Sequence, residues 1–153
     1  MSEETIVADA SCLIVLENTG ELSLLQKLFG EIFITEEVKT EFGLDLPNWI
    51  KVKEIQNKTQ QNALELILDK GEASSISLAL ENENSLLIID EKKGRRIAQE
   101  LGVKIIGTLG LILLAKKQNL IDSAAEFLEK LENANFHISQ NLKDKLLNSD
   151  AAV

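Results

Sequence analysis

The chain has one cysteine, one proline, one histidine and no tyrosine among 153 residues. Cys12 alone excludes an internal disulfide and offers no zinc-knuckle spacing. It sits among apolar helix residues and is read as buried and inert. The lone His137 removes any mechanism that needs two histidines. Aromatic residues make up only 4% of the chain, so no single-strand stacking surface is evident. Trp49 and Phe136 are read as packing anchors. No apolar run approaches the length of a membrane span, and no repeat, low-complexity block or Pro/Ser-rich linker divides the sequence. The opening residues, MSEETIVAD, lack the basic start and apolar segment of a secretory signal. A soluble, cytoplasmic protein with no membrane partner is expected. Positive charge is also short: 16 Lys and Arg face 25 Asp and Glu, for a net charge of −9. That balance argues against broad nucleic-acid binding through a basic surface. It leaves room for an enzyme that meets a few phosphates through metal ions.

What is present is a globular pattern, 44% hydrophobic. One domain over residues 1–147 is expected, with a loose tail, NSDAAV, over 148–153. Short β-branched runs alternate with longer helical patterns, the signature of a parallel sheet with crossover helices. The strands are expected at Thr5–Asp9, Glu31–Ile34, Ser85–Ile89 and Val103–Ile106, with Trp49–Ile55 either an edge strand or an ordered loop. Helices are expected at Ser11–Asn18, Glu21–Phe29, Glu36–Phe42, Gln56–Leu68, Glu72–Glu83, Lys92–Leu101, Leu109–Lys117, Ser123–Ala134 and Gln140–Leu147. Gly20 reads as a C-cap, and Lys70-Gly71 as a break between two helices.

Ligands of parallel sheets bind outside the carboxyl ends of the strands. Asp9 ends the first strand and Asp90 ends the run LLII, so two acids reach one sheet edge. Glu41 is placed near the buried face of its short helix by its spacing from Val38. Glu72 opens a helix whose Ile76, Ala79 and Leu80 look inward. Each acid also has a structural reading. Asp9 accepts backbone N–H groups while Ser11 caps the helix. Glu41 is a solvated helix former, and Glu72 and Asp90 offset helix dipoles. The combination is what points to a site.

Two segments carry a resemblance. IVADASCLIVLENTGELSLLQKLFGEIFITEEVKTEF covers residues 6 to 42, and DKGEASSISLALENENSLLIIDEKKGRRIAQELGVKIIGTLGLILLAKKQNLI covers 69 to 121. Together they resemble the PIN-domain family, and within it the small bacterial stand-alone proteins related to VapC-type toxins. The resemblance implies a three-layer α/β/α sandwich with a central parallel sheet of four or five strands. It also implies metal-dependent cleavage of RNA phosphodiesters, a homodimer and a protein antitoxin. The family's acidic set falls on Asp9, Glu41, Glu72 and Asp90, with Glu91 as substitute for Asp90. Glu72 stands where many relatives have Asp, and Thr35 where they often have Pro.

The chemistry suits these residues. Phosphodiester hydrolysis needs an acidified water and a neutralised transition state, and Mg²⁺ or Mn²⁺ supplies both. Mg²⁺ takes oxygen ligands at roughly 2.0–2.1 Å and retains several waters. Four like charges held together without a cation would raise one another's pKa. Ser11 and Thr108 are expected near the site, as helix caps or as substrate contacts. The basic run Lys92, Lys93, Arg95 and Arg96 follows Asp90 directly. It is either a shelf for RNA phosphates or a solvated helix face. Two other function classes compete with the ribonuclease. One is a catalytically silent PIN-like binding or regulatory protein. The other is an aspartyl phosphotransfer domain, against which Asp9-Ala10-Ser11 lacks the second Asp that the hydrolase motif requires.

Overall fold

The computed structural model describes residues 3–151. The strands are β1 Thr5–Ala8, β2 Ile32–Ile34, β3 Ile50–Val52, β4 Ser85–Ile88 and β5 Lys104–Ile106. The helices are α1 Ala10–Asn18, α2 Ser23–Phe29, α3 Glu36–Phe42, α4 Lys58–Leu64 and α5 Lys70–Leu80, followed by α6 Lys92–Glu100, α7 Thr108–Lys117, α8 Ala124–Asn133 and α9 Gln140–Ala151. The strands form one all-parallel sheet in the order β3-β2-β1-β4-β5. The possible strand near Trp49 is therefore the three-residue edge β3, whose preceding Trp49 carbonyl accepts the Ile32 N–H.

Side-chain alternation along the central strands builds two cores. Ile6, Ala8 and Ile88 face one side, packed with α1, α2, α3, α7 and α8. Val7, Leu87 and Ile89 face the other, packed with α4, α5 and α6. Right-handed crossovers account for the split. Connections running from β1 through β2 to β3 put their helices on one face. Connections running the opposite way, from β3 to β4 and on to β5, put theirs on the other. The result is the expected three-layer α/β/α sandwich. Trp49 and Phe136 pack against the first core, as expected of anchors.

Three local departures from the sequence reading have physical causes. The Lys70-Gly71 break is not a break: α5 begins at Lys70, because Asp69 caps it by accepting the Glu72 N–H at 2.8 Å. The expected Gln56–Leu68 helix stops at Leu64 and gives way to hydrogen-bonded turns through Leu68. At the C-terminus α9 continues to Ala151, past the Leu147 where apolar spacing ends, because polar residues propagate a started helix without needing a core face. Of the expected tail, 148–151 fall within α9, and 152–153 lie outside the described residues. Thr35 caps α3 through the Val38 N–H and bonds Ser74 Oγ at 2.8 Å, tying α3 to α5.

Candidate active site

The strand order reverses between β1 and β4, and this switch point is where doubly wound sheets open a crevice. Ala8 pairs with Ile88, so Asp9 and Asp90 leave the sheet at the same edge. Their surroundings there differ.

Asp9 occupies the N-cap position of α1 yet makes no side-chain capping bond. Its carboxylate is buried, and Oδ1 has no hydrogen-bond partner. Glu72, third residue of α5, is also buried and leaves Oε2 without a partner. Gly71 locates the convergence. A Cβ at Gly71 would lie 2.6 Å from Glu41 Oε2, 3.4 Å from Asp9 Oδ1 and 3.6 Å from Asp69 Oδ1. Three carboxylates from different elements therefore crowd one spot over the first turn of α5, and only a residue without a side chain leaves room for them. Glu72 reaches across to α6, where a Cβ on Gly94 would lie 2.7 Å from its Oε2. These side chains line a cavity of about 510 Å³ together with Ser11 and Glu91.

Crowding shifts the acids. Burial pushes Asp9 up to about 7, the Ala10 N–H pulls against it, and the charges of Glu41, Asp69 and Asp90 push it further. Burial likewise raises Glu72, helped by its contact and like charge with Asp69 and by the charges of Asp9 and Glu91. Glu41 is raised by burial and then by Asp69. A cluster of acids that resists losing its protons is one that lacks positive charge.

Asp90 is placed differently. Its Oδ1 accepts the Thr108 N–H at 2.7 Å and its Oδ2 the Thr108 hydroxyl at 2.6 Å. It thereby satisfies the start of α7, whose N-cap Gly107 has no side chain to do so. Asp90 does not line the acidic cavity, whereas Glu91 does. Arg95 joins the same knot. Its Nη1 donates to the Ile89 carbonyl at 2.9 Å, and a Cβ on Gly107 would lie 2.7 Å from that nitrogen and 3.0 Å from Asp90 Oδ1.

The basic run is therefore split. Lys92, Lys93 and Arg96 are exposed, while Arg95 is half-buried and bound to the strand end. The four line a second cavity of about 710 Å³, which shares Glu91 and Lys93 with the acidic one. Ser11 is not a helix cap, since α1 starts one residue earlier; it lies exposed in the first turn and faces the cavity. Thr108 is not a cap either, being the first residue of α7 and hydrogen-bonded to Asp90. Glu41 lies on the exposed edge of α3 instead of its buried face. His137 is exposed and far in sequence from these elements. Cys12 is buried, with its thiol pushed up by burial.

Asp69 was missed by the sequence reading, although the signal was there. Asp69-Lys70-Gly71-Glu72 has the spacing of a capping box, an N-cap oxygen three residues before Glu. Taking Lys70-Gly71 as a break hid it.

The residues fit a hard divalent cation. The donor set is all oxygen, and two buried carboxylate oxygens lack partners. Among the described residues no three Asp, Glu, His or Cys side chains stand as a complete ligand group. An ion such as Mg²⁺, bound through one or two carboxylates and several waters, does not need one. Asp9 and Glu72 would hold it, with Glu41, Asp69 and Glu91 within the same cavity.

Fold and site together define a doubly wound α/β domain with a carboxylate pocket at its switch point. A family model described as a PIN domain matches residues 5–151, and the chain belongs to that family. PIN domains are generally nucleases with a tie to RNA and typically use divalent metals, so this is a nuclease-type fold. No curated protein and no solved structure matches the chain. Among the described residues no helix is long and apolar enough to cross a membrane.

Proposed function

We propose that this protein is a Mg²⁺- or Mn²⁺-dependent endoribonuclease, the toxin of a toxin–antitoxin pair of the VapC type, working as a homodimer whose site a protein antitoxin covers. The observation that carries the catalytic part is the pair of buried, unpartnered oxygens, Asp9 Oδ1 and Glu72 Oε2, beside Glu41 and Asp69. Leaving such atoms unsatisfied costs about 1–3 kcal/mol each, more when charged, which a bound cation offsets. When bound, the ion would acidify the attacking water and neutralise charge on the phosphoryl oxygens.

In this reading Asp9 and Glu72 bind the cation directly and Glu41 and Glu91 do so directly or through water. Asp69 fixes the start of α5 and so aims Glu72. Asp90, hydrogen-bonded to Thr108, holds the edge of the site in place and leaves Glu91 as the acid nearer the cavity. Lys92, Lys93 and Arg96 position RNA phosphates, and Ser11 meets the substrate at the cavity wall.

Initial rates on a panel of RNAs with Mg²⁺ and Mn²⁺ test the reading. Metal-dependent cleavage that EDTA abolishes and Asp9→Asn eliminates is expected. A second reading, a catalytically silent PIN-like partner-binding protein, is favoured by the lack of a complete three-residue ligand group among the described residues. Equal behaviour of the parent protein and Asp9→Asn, with no cleavage of any RNA, selects it.

A further inference from the structure

The rim of the acidic cavity carries an oddity that metal chemistry does not explain. Leu66 is 86% exposed and Ile67 50% exposed, and both line the same cavity as Asp9, Glu41 and Glu72. Adjacent exposed apolar side chains rimmed by polar residues are a mark of ligand-binding grooves.

The turn that presents them is held firmly. Leu66 N–H donates to the Ala63 carbonyl, Ile67 N–H to Leu64 and Leu68 N–H to Leu64. Leu68 is buried in the core beneath. Asp69 caps the helix that follows, so the turn is held by hydrogen bonds before and after Leu66 and Ile67. The apolar surface is displayed on a fixed backbone, which is how a binding surface avoids an ordering cost.

Size and charge narrow the occupant. A water's share of volume is about 30 Å³, so a hydrated ion leaves most of a cavity of about 510 Å³ unfilled. The cavity is of ligand-pocket size. Its lining offers carboxylates for a cation, Lys93 for an anion and Leu66 with Ile67 for apolar contact. A nucleotide bridging to a metal ion has all three complements: a phosphate for Lys93 and the cation, and a base face for the aliphatic pair. A base paired inside a duplex would not offer its face.

We infer that Leu66 and Ile67 form a subsite for one unstacked nucleobase next to the scissile phosphate. The inference rests on the ribonuclease reading. Aliphatic contact with a base face reads no base edge, so the subsite selects an unpaired base of any identity.

The test uses the full chain, its Leu66→Ser/Ile67→Ser double variant and a fluorescent single-stranded oligoribonucleotide whose cleavage position has been mapped with Mn²⁺. Binding is read by anisotropy in Ca²⁺, with the oligonucleotide checked intact on a gel. KM and kcat are read in Mn²⁺, and matching melting curves establish that the variant folds. The double variant is expected to bind about tenfold more weakly and to raise KM with little change in kcat. For the parent protein, an abasic nucleotide scanned along the oligonucleotide should reproduce that loss at one position beside the cleaved bond. There the variant should bind abasic and intact oligonucleotides alike. If the parent protein cleaves RNA but neither the double variant nor any abasic position weakens binding, the subsite is overturned and the nuclease reading stands. If the variant keeps its RNA affinity but loses self-association in sedimentation, the rim is a contact between copies and the inference fails. If the parent protein neither binds nor cleaves RNA, both readings fall.

Discussion

Asp9 and Asp90 follow neighbouring strands of one sheet, leave it at the same edge and precede helices, yet they end in opposite states. Beyond β1 the Asp9 carboxylate is buried with Oδ1 unpartnered, and burial pushes its pKa up to about 7. Beyond β4 the Asp90 carboxylate is bonded through both oxygens to Thr108, on the helix that follows β5. The difference is one of donors. Near Asp90, α7 brings an N–H and a hydroxyl within reach, and Arg95 packs alongside. Around Asp9 the carboxylates of Glu41 and Asp69 converge on the same spot over Gly71, and their charges act on it. One carboxylate thereby fastens two elements together, and the other is left with capacity for a cation. Identical residue types at equivalent topological positions differ in hydrogen bonding according to what the neighbouring element offers.

The largest test of that contrast is catalytic. Asp9→Asn should reduce metal-dependent RNA cleavage on the order of 10²–10³-fold, the scale for removing one group that stabilises transition-state charge. Asp90→Asn should cost about tenfold, the scale for a partner that orients a ligand. Initial rates at saturating Mn²⁺ decide it, and equal losses would erase the distinction.

Stability should run the other way. Asp90→Ala removes two hydrogen bonds to a charged acceptor and leaves the start of α7 unsatisfied, a loss of about 2–3 kcal/mol. Asp9→Asn relieves an uncompensated buried acid and should stabilise the metal-free protein by about 1 kcal/mol at pH 8. Urea unfolding in EDTA measures both. Destabilisation by Asp9→Asn would mean that its carboxylate already has a structural partner.

The pH dependence sharpens the same point. The folded-state pKa of Asp9, about 7, lies above the ordinary value of 3.8, so the folded state binds more protons than the unfolded state between those values. Stability of the metal-free protein should therefore fall as pH rises from about 4 to about 7 through Asp9, and level off only above about 8, where Glu72 has also lost its proton. Glu72, raised in the same direction, adds to the fall. Thermal melts in EDTA across this range should show it, and Asp9→Asn should flatten the slope. Adding Mn²⁺ should raise the melting temperature most at the alkaline end, because the metal competes with those protons. A slope of opposite sign would contradict the crowding of acids at the β1 end.

The smallest effect is expected at Gly107. Gly107→Ala puts a Cβ against Arg95 Nη1 and Asp90 Oδ1, a clash that side-chain movement relieves for about 1 kcal/mol. The cost should appear in melting temperature, with cleavage less affected than by Asp90→Asn. Activity lost to the level of Asp9→Asn would place the α7 end inside the chemistry.

Much of this molecule could be read along the chain. Runs such as TIVA and SLLI are short, β-branched or aliphatic and buried on both faces, so they announce parallel strands, and the helical spacing between them announces crossovers. The acids at strand and helix ends were visible for the same reason, since a charge beside a core run is conspicuous. Their fates were not visible. Nothing local reveals that Thr108, 18 residues on, turns its N–H and hydroxyl toward Asp90. Arg95 looked like one of four equivalent cations until the strand-end carbonyl claimed it. Asp69 was hidden by a glycine that usually marks a break, and Leu66 and Ile67 passed as ordinary helix residues.

By itself the sequence determined the layering, the order of elements and the gathering of carboxylates at one sheet edge, because side-chain periodicity and crossover handedness are local rules with few solutions. Only the tertiary structure decided which carboxylates remain unsatisfied, which cation is tied down and which apolar side chains stay in solvent. Those outcomes depend on whether a donor or a neighbour from another element arrives within hydrogen-bonding or van der Waals reach, and that distance is set when the elements pack.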